Sequence, residues 1–204
     1  MTRAKVLKVN PRSPEKDIIE FAARLIEDGR LVAFPTETVY GIGANFLDKA
    51  AIKRLYDVKG RPETKPFTIH IADLGMIKRM KCEIPILAEK LIRTFWPGPL
   101  TIILKSENGK LGFRMPKNIV AKALIAKSGV PVAAPSANTS GKSPAVNANE
   151  VLNDIGEKID LILDGGETEV GKESTVVDVA GLSYKIVRKG AISEDKIAEV
   201  LKEF

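Results

Sequence analysis

Two short apolar runs, Leu31 to Phe34 and Val130 to Ala134, each end at a proline and pass straight into a loop of hydroxyl and amide side chains. The first loop is Pro35-Thr36-Glu37-Thr38-Val39-Tyr40-Gly41; the second is Pro135-Ser136-Ala137-Asn138-Thr139-Ser140-Gly141. A short apolar run with a helical segment before it and a turn signal after it reads as a buried strand. Polar loops held at the ends of such strands are where a rigid scaffold places its chemistry. The pattern repeats with helical segments between, so the chain reads as an α/β domain, a twisted mixed sheet flanked by helices with polar loops at several strand ends. At 204 residues it is long enough for one full core, and one domain spanning residues 1–204 is the simplest organisation.

The remaining elements follow from caps, breakers and periodicity. Lys5 to Val9 is a short strand. Ser13 is placed to cap a helix with Pro14 at its first position, and Ile18, Phe21, Ala22, Leu25 and Ile26 form its inward face until Gly29 stops it. Gly41 and Gly43 permit tight turns or close approach of a ligand to the backbone. Asp48 caps a helix through Asp57 with Ile52, Leu55 and Tyr56 inward, and Lys59-Gly60-Arg61-Pro62 leaves it as a solvent-facing loop. Phe67 to Ile71 alternates: Phe67, Ile69 and Ile71 share one face, Thr68 and His70 the other. Asn108-Gly109 turns a hairpin between Leu100–Leu104 and Leu111–Arg114. Asn147 or Asn149 caps a later helix, and strands at 174–179 and 183–187 pair around Ala180-Gly181-Leu182.

Composition narrows the chemistry. A formal net charge of +6 favours anionic partners such as nucleotides or RNA. The lone Cys82 leaves no internal disulfide and no cysteine-rich metal site. No run approaches about 18 uninterrupted apolar residues, so no membrane span is expected and the cytoplasm is the expected compartment. No paired nucleophile and base stands out, and Gly141-Lys142-Ser143 lacks the earlier glycine of a phosphate loop. What remains is cationic: Lys59, Arg61, Lys65, Arg114 and Arg188 all fall at loops or strand ends. Arginine forks match phosphate and carboxylate oxygens in pairs, and lysine acts as a mobile point charge. Ser136 and Asn138, on alternate positions of the second loop, offer a hydroxyl and an amide. By themselves these features read either as an anion site or as surface charges and turn formers.

Their order along the chain is more specific. The first loop, then Lys59-Gly60-Arg61-Pro62, Lys65-Pro66, Arg114-Met115-Pro116, the second loop and Glu173-Ser174-Thr175-Val176-Val177-Asp178 together resemble the YrdC/Sua5 family, the threonylcarbamoyl-AMP synthases. The Lys-x-Arg and Ser-x-Asn pairs are that family's hallmark, and the match runs from about Ser13 to Arg188. The resemblance implies a YrdC-like fold with an open concave cleft, and a nucleotidyltransferase that makes L-threonylcarbamoyl-AMP and pyrophosphate from L-threonine, bicarbonate and ATP. The product would pass to a separate transferase for the N6-threonylcarbamoyladenosine of tRNA. The resemblance also assigns residues. Thr36, His70, Arg114 and Ser174 would hold threonine or its carbamate, with Arg114 on the carboxylate. Lys59 and Arg61 would be the catalytic cations, and with Lys65, Ser136, Asn138, Ser143 and Arg188 would surround the nucleotide. Lys110 stands where many relatives carry a threonine. Mg2+ would be held mainly by the ATP phosphates, with no protein metal site. Longer members carry a C-terminal domain, and this chain reads as the short form. The competing reading is a basic RNA-binding module, for tRNA or double-stranded RNA, without adenylate-forming activity. Its cations would spread over a groove instead of clustering with hydroxyls, and aromatic residues are only 5% here.

Overall fold

The computed structural model describes residues 3–202. Ten strands and seven helices are found among them: β1 Lys5–Lys8, α1 Lys16–Glu27, β2 Val32–Phe34, β3 Gly41–Asn45, α2 Lys49–Lys59, β4 Thr68–His70, α3 Gly75–Arg79, α4 Ile86–Phe95, β5 Leu100–Ser106, β6 Gly109–Arg114, α5 Ile119–Ser128, β7 Val132–Ala133, α6 Ala148–Ile155, β8 Leu161–Asp164, β9 Thr175–Asp178, β10 Lys185–Arg188 and α7 Glu194–Lys202. The strands form one mixed sheet in the order β1-β8-β2-β3-β7-β4-β6-β5-β9-β10. Four pairings are parallel (β1 with β8, β2 with β8, β4 with β6, β5 with β9) and the rest are antiparallel.

The two faces of the sheet differ along its length. On one face α1, α3, α4, α5 and α7 build a continuous core around Phe34, Ile69, Ile102, Phe113, Leu163 and Val177. On the other, α2 and α6 pack Leu55, Val58, Val151 and Ile155 against Ala33, Ile42, Ala44, Ala133 and Ile162. That second layer covers β8, β2, β3 and β7. Beyond it, over β4, β6, β5 and β9, the same face carries Thr68, His70, Gly112, Arg114, Thr101 and Asp178, and here the sheet forms the floor of a cavity. Strand alternation thus sends one set of side chains to the apolar core and the other to the cavity.

Most of the expected elements are present. Asp48 caps α2 by accepting from the Ala50 and Ala51 amides, and Asn147 caps α6 through the Glu150 amide. Gly29, Gly60 and Gly109 take positive φ at the expected stops and at the hairpin. Four expectations are corrected. Phe67, expected on one face with Ile69 and Ile71, instead lines the cavity and stacks on Tyr56, because β4 begins only at Thr68. The first helix begins at Lys16, not at Pro14, because Asn10 Oδ1 accepts from the Arg12 and Ser13 amides and holds that stretch in a turn. Its buried face is Ile19, Ala22, Ala23 and Ile26, which leaves Phe21 exposed beneath the Lys5 ammonium. Gly41 to Asn45 is a central strand instead of a turn. Gly43 is required there by packing, since a Cβ would come within 2.9 Å of Phe34 Cε1 and 3.0 Å of Val132 Cγ1.

Candidate functional site

The cavity has a volume of about 700 Å3. Its floor is laid out in rows across the strands. In one row His70 on β4 is in register with Arg114 on β6, and Thr101 on β5 with Val176 on β9, which pairs with Arg188 on β10. One pleat further along, Thr68 is in register with Gly112, Gly112 with Ile103, and Ile103 with Asp178. Eight of these nine residues fall in pairs two positions apart on the same strand (68/70, 112/114, 101/103 and 176/178), so the period of two alone brings each pair to the same side.

The first row is polar and buried. Arg114 is 4% exposed; its Nε donates to the Gly98 carbonyl, and its Nη2 lies 2.8 Å from Glu37 Oε1. This pair is ionic and lacks the alignment of a directed hydrogen bond, and Glu37 Oε2 has no partner. Burial pushes the Arg114 pKa down, opposed by the Glu37 carboxylate. Beside it the His70 imidazole is buried, with Nδ1 unpartnered. Burial and then the Arg114 charge hold its pKa well below the usual range, so His70 is neutral. Ser174 Oγ shares a 2.9 Å hydrogen bond with Thr101 Oγ1 and accepts from Arg188 Nη2 at 3.1 Å. Arg188 is itself tied to the Ser174 carbonyl and, through Nη1, to Glu173 Oε1. Thr36 Oγ1 donates to the Val39 carbonyl at 2.6 Å and sets the conformation of the first loop. Thr36, His70, Arg114 and Ser174 therefore line one cavity, as expected.

The nucleotide set is divided. Arg61, Lys65, Ser136 and Arg188 line the cavity. The Arg61 guanidinium lies over the Phe67 ring, 5.3 Å from its centroid, and its buried Nε has no partner. Lys65 is exposed. Lys59, expected in a solvent-facing loop, is instead the last residue of α2 and only 3% exposed. It turns inward because the left-handed Gly60 ends the helix with its side chain under the second loop. There Nζ donates to the Ser136 carbonyl, the Asn138 carbonyl and Asn138 Oδ1. Burial pushes this amine down to about 8. Asn138 Nδ2 donates to the Thr139 and Lys142 carbonyls, so Asn138 knits the loop and stands behind the cavity wall. Ser143 is exposed and outside the lining, because Asp154 draws the segment away: it accepts from the Thr139 amide, the Thr139 hydroxyl and Lys142 Nζ. Lys110 lines the cavity and pairs with Asp178 at 2.7 Å.

Glu37, Thr101, Glu173 and Asp178 belong to the site as well, and they were not singled out. Glu37 and Glu173 sit inside the quoted segments, and Thr101 has the right parity on its strand. Their partners lie far off in the sequence, so no local signal marks them. The carboxylates that line the cavity are already matched to cations, Glu173 to Arg188 and Asp178 to Lys110, and Glu37, behind the lining, is matched to Arg114. Arg61 and Lys65 are left facing the cavity without a carboxylate. The arrangement suits a ligand with at least two anionic groups.

Comparison with known proteins agrees with this geometry. Residues 24–190 match the family model Sua5/YciO/YrdC, described as Telomere recombination. The chain is 47% identical over 195 residues to the threonylcarbamoyl-AMP synthase of Pyrococcus abyssi, covering 91% of this chain and 57% of that protein. It is 41% identical to the Bacillus subtilis protein of the same name, covering 88% and 55%. The chain thus spans little more than half the length of these curated relatives. Among solved structures it superimposes on P. abyssi Sua5 complexed with L-threonine with a TM-score of 0.92 at 43% identity, over 97% of this chain and 61% of that one. On Escherichia coli YciO the TM-score is 0.86 at 25% identity, over 95% and 98%. With the family model covering most of its length, the chain belongs to the Sua5/YciO/YrdC family.

Proposed function

We propose that this chain is a nucleotidyltransferase that joins L-threonine, bicarbonate and ATP into L-threonylcarbamoyl-AMP, releasing pyrophosphate. The observation that carries the reading is the division of cations within one cavity. Arg114 is buried beside neutral His70, Thr101 and Ser174, whereas Arg61 and Lys65 face the same space with no carboxylate of their own. The names of the P. abyssi and B. subtilis relatives, and the L-threonine complex of the former, support it.

In this reading Arg114 receives the threonine carboxylate, and Thr36 and Ser174 frame the amino acid. In neutral His70 one ring nitrogen donates and the other accepts, so the unpartnered Nδ1 offers a hydrogen bond without adding charge. The amine adds to bicarbonate with loss of water, giving a carbamate. A carbamate oxygen then attacks the α-phosphorus of ATP as the bond to the β-phosphate oxygen breaks and pyrophosphate leaves. Arg61, Lys65 and Arg188 oppose the charge that gathers on the phosphates. Positioning and preorganised charge supply the acceleration, and no covalent nucleophile is called for. The cavity carboxylates Glu173 and Asp178 already have cations. In this reading magnesium enters as part of the ATP substrate, held by phosphate oxygens and water. The product serves a separate transferase that modifies tRNA, which places the work in the cytoplasm. Among the described residues no helix is long and apolar enough to cross a membrane.

The test is pyrophosphate release from ATP and bicarbonate with and without L-threonine, with the product identified by mass. Threonine-dependent release with the threonylcarbamoyl-adenylate mass is the expected result. Release that ignores threonine, or none at any magnesium concentration, refutes the proposal.

A further inference from the structure

Residues 61–66 make one wall of the cavity, and Arg61, Thr64, Lys65 and Pro66 line it. The wall carries the two cations that no carboxylate matches, yet it has little of its own to hold it in place. Pro62 and Pro66 have no N–H to donate, and residues 62–66 are exposed. Two hydrogen bonds stay within the stretch, from the Lys65 amide to the Pro62 carbonyl and from Arg61 Nη2 to the Pro66 carbonyl. A segment with few buried contacts and solvent-facing hydrogen bonds belongs to the least stable part of a fold.

Among the described residues, every hydrogen bond that ties 61–66 to the rest of the chain is made with Tyr56. Its carbonyl accepts from the Arg61 amide at 3.3 Å. Its hydroxyl donates to the Glu63 carbonyl at 3.3 Å and to the Lys65 carbonyl at 3.2 Å. Its ring stacks on Phe67 with centroids 4.2 Å apart, and the same Phe67 ring carries the Arg61 guanidinium. A tyrosine suits this task, with a rigid apolar body to stack and a polar tip to bond. Tyr56 itself stands outside the cavity lining. Three positions further along α2, on the same side of the helix, Lys59 grips the second loop in the same manner, by donating to the Ser136 and Asn138 carbonyls. The end of α2 thus carries the donors that fix two walls. We propose that Tyr56 is the positioning residue of the cationic wall: it holds Arg61 and Lys65 toward the cavity and so sets the affinity for the phosphates of ATP. This rests on the nucleotidyltransferase reading and adds to it a residue, outside the cavity, through which the phosphate contacts are organised.

The experiment compares the full chain with Tyr56→Phe, which keeps the stack and loses the hydroxyl, and Tyr56→Leu, which loses both. Calorimetric titration reads binding of ATP, inorganic triphosphate and L-threonine, and cleavage by a glutamyl endopeptidase after Glu63 reads how often the wall leaves its place. A wall in place for a smaller fraction of the time binds its ligand more weakly by that fraction. For the loss of one shared hydrogen bond, ATP and triphosphate are expected to bind Tyr56→Phe about 3–10-fold more weakly, and Tyr56→Leu more weakly still. Cleavage after Glu63 quickens in the same order. Threonine affinity holds at the parent's level, the thermal midpoint of Tyr56→Phe stays within about 4 °C, and in pyrophosphate release the KM for ATP rises while that for threonine does not. Unchanged ATP affinity in Tyr56→Phe overturns the positioning role. So does weaker ATP binding without faster cleavage after Glu63, or an equal loss of threonine binding, which would mean general damage to the cavity. Should Tyr56→Leu fail to fold, Tyr56→Phe decides alone. A parent that binds neither ATP nor triphosphate removes the nucleotidyltransferase reading and this role with it; a parent that binds ATP, with Tyr56→Phe matching it, removes the role of Tyr56 alone.

Discussion

Replacing Lys59 by methionine withdraws an ammonium from beneath the second loop and keeps the aliphatic stem. Three oxygens then lose their donor: the Ser136 carbonyl, the Asn138 carbonyl and Asn138 Oδ1. A hydrogen bond from a charged group contributes about 1.5–3 kcal/mol, and the acceptors left behind are buried. Against that loss, burial works on the ammonium itself. Holding the amine at about 8 instead of 10.5 corresponds to about 3 kcal/mol against the charged form at neutral pH. The balance is a net loss of about 2–4 kcal/mol, or about 5–15 °C in thermal midpoint for a chain of this size. The pH dependence carries its own sign. The folded-state pKa lies below the unfolded one, so between about pH 8 and 10.5 the unfolded chain binds more protons and the parent's stability rises with pH. Lys59→Met lacks that rise, so its deficit relative to the parent widens across this window, by up to about 1.4 kcal/mol per pH unit. Chemical denaturation at pH 7, 8, 9 and 10 measures it. A variant as stable as the parent refutes the argument that Lys59 braces the loop, and a deficit that narrows as the pH is raised refutes the lowered pKa.

Other consequences are open to direct measurement. Arg114→Ala weakens threonine binding far more than ATP binding in a titration, and it lowers unfolding free energy by about 3–5 kcal/mol, because Glu37 is left as a buried, unpaired charge; equal losses for both ligands would contradict the carboxylate role. His70 is the only histidine, so its imidazole resonances can be followed without ambiguity. They should show no titration between pH 5.5 and about 8, and since its folded-state pKa is lowered the stability it contributes is lost as the pH falls below about 6.5. Gly43→Ala forces Phe34 and Val132 apart and costs about 1–3 kcal/mol in denaturant unfolding, where Gly112→Ala costs little.

Much of this architecture is legible in the residues because it rests on local rules. The alternation at 67–71 places Thr68 and His70 on the cavity side, and Asp48, Asn147 and the positive-φ glycines mark their helix and turn ends. What local rules miss is set by distant neighbours. Gly41 to Asn45 reads as a turn because its two glycines break the strand pattern, and only Phe34 and Val132 crossing over Gly43 explain why glycine is there. Lys59 reads as the start of a solvent-facing loop because glycine and proline follow it. Its true environment is made by Ser136 and Asn138, which no window around Lys59 contains. The same holds for Glu37, whose meaning depends on Arg114, and for Ser143, which is drawn off by Asp154. The Lys-x-Arg and Ser-x-Asn pairs split by burial: Arg61 and Ser136 reach the cavity, Lys59 and Asn138 hold up its wall.

The strand order also bears on how the chain comes together as it is made. Lys5 on β1 pairs with Leu161 on β8, and Val32 on β2 pairs with that same Leu161. Until β8 leaves the ribosome, β1 has no neighbour and β2 has only β3, so an edge that includes Leu31, Val32 and Phe34 waits through most of synthesis without its partner. Closing such distant pairings is slow, and unpaired apolar edges invite association with other chains. β8, which joins β1 to β2, ends at Asp164, and the β9–β10 segment that brings Ser174 and Arg188 to the cavity is the next part of the sheet to be made. Closure of the sheet and appearance of a competent ligand site are therefore nearly one event, and a nascent or truncated chain that ends before it offers neither.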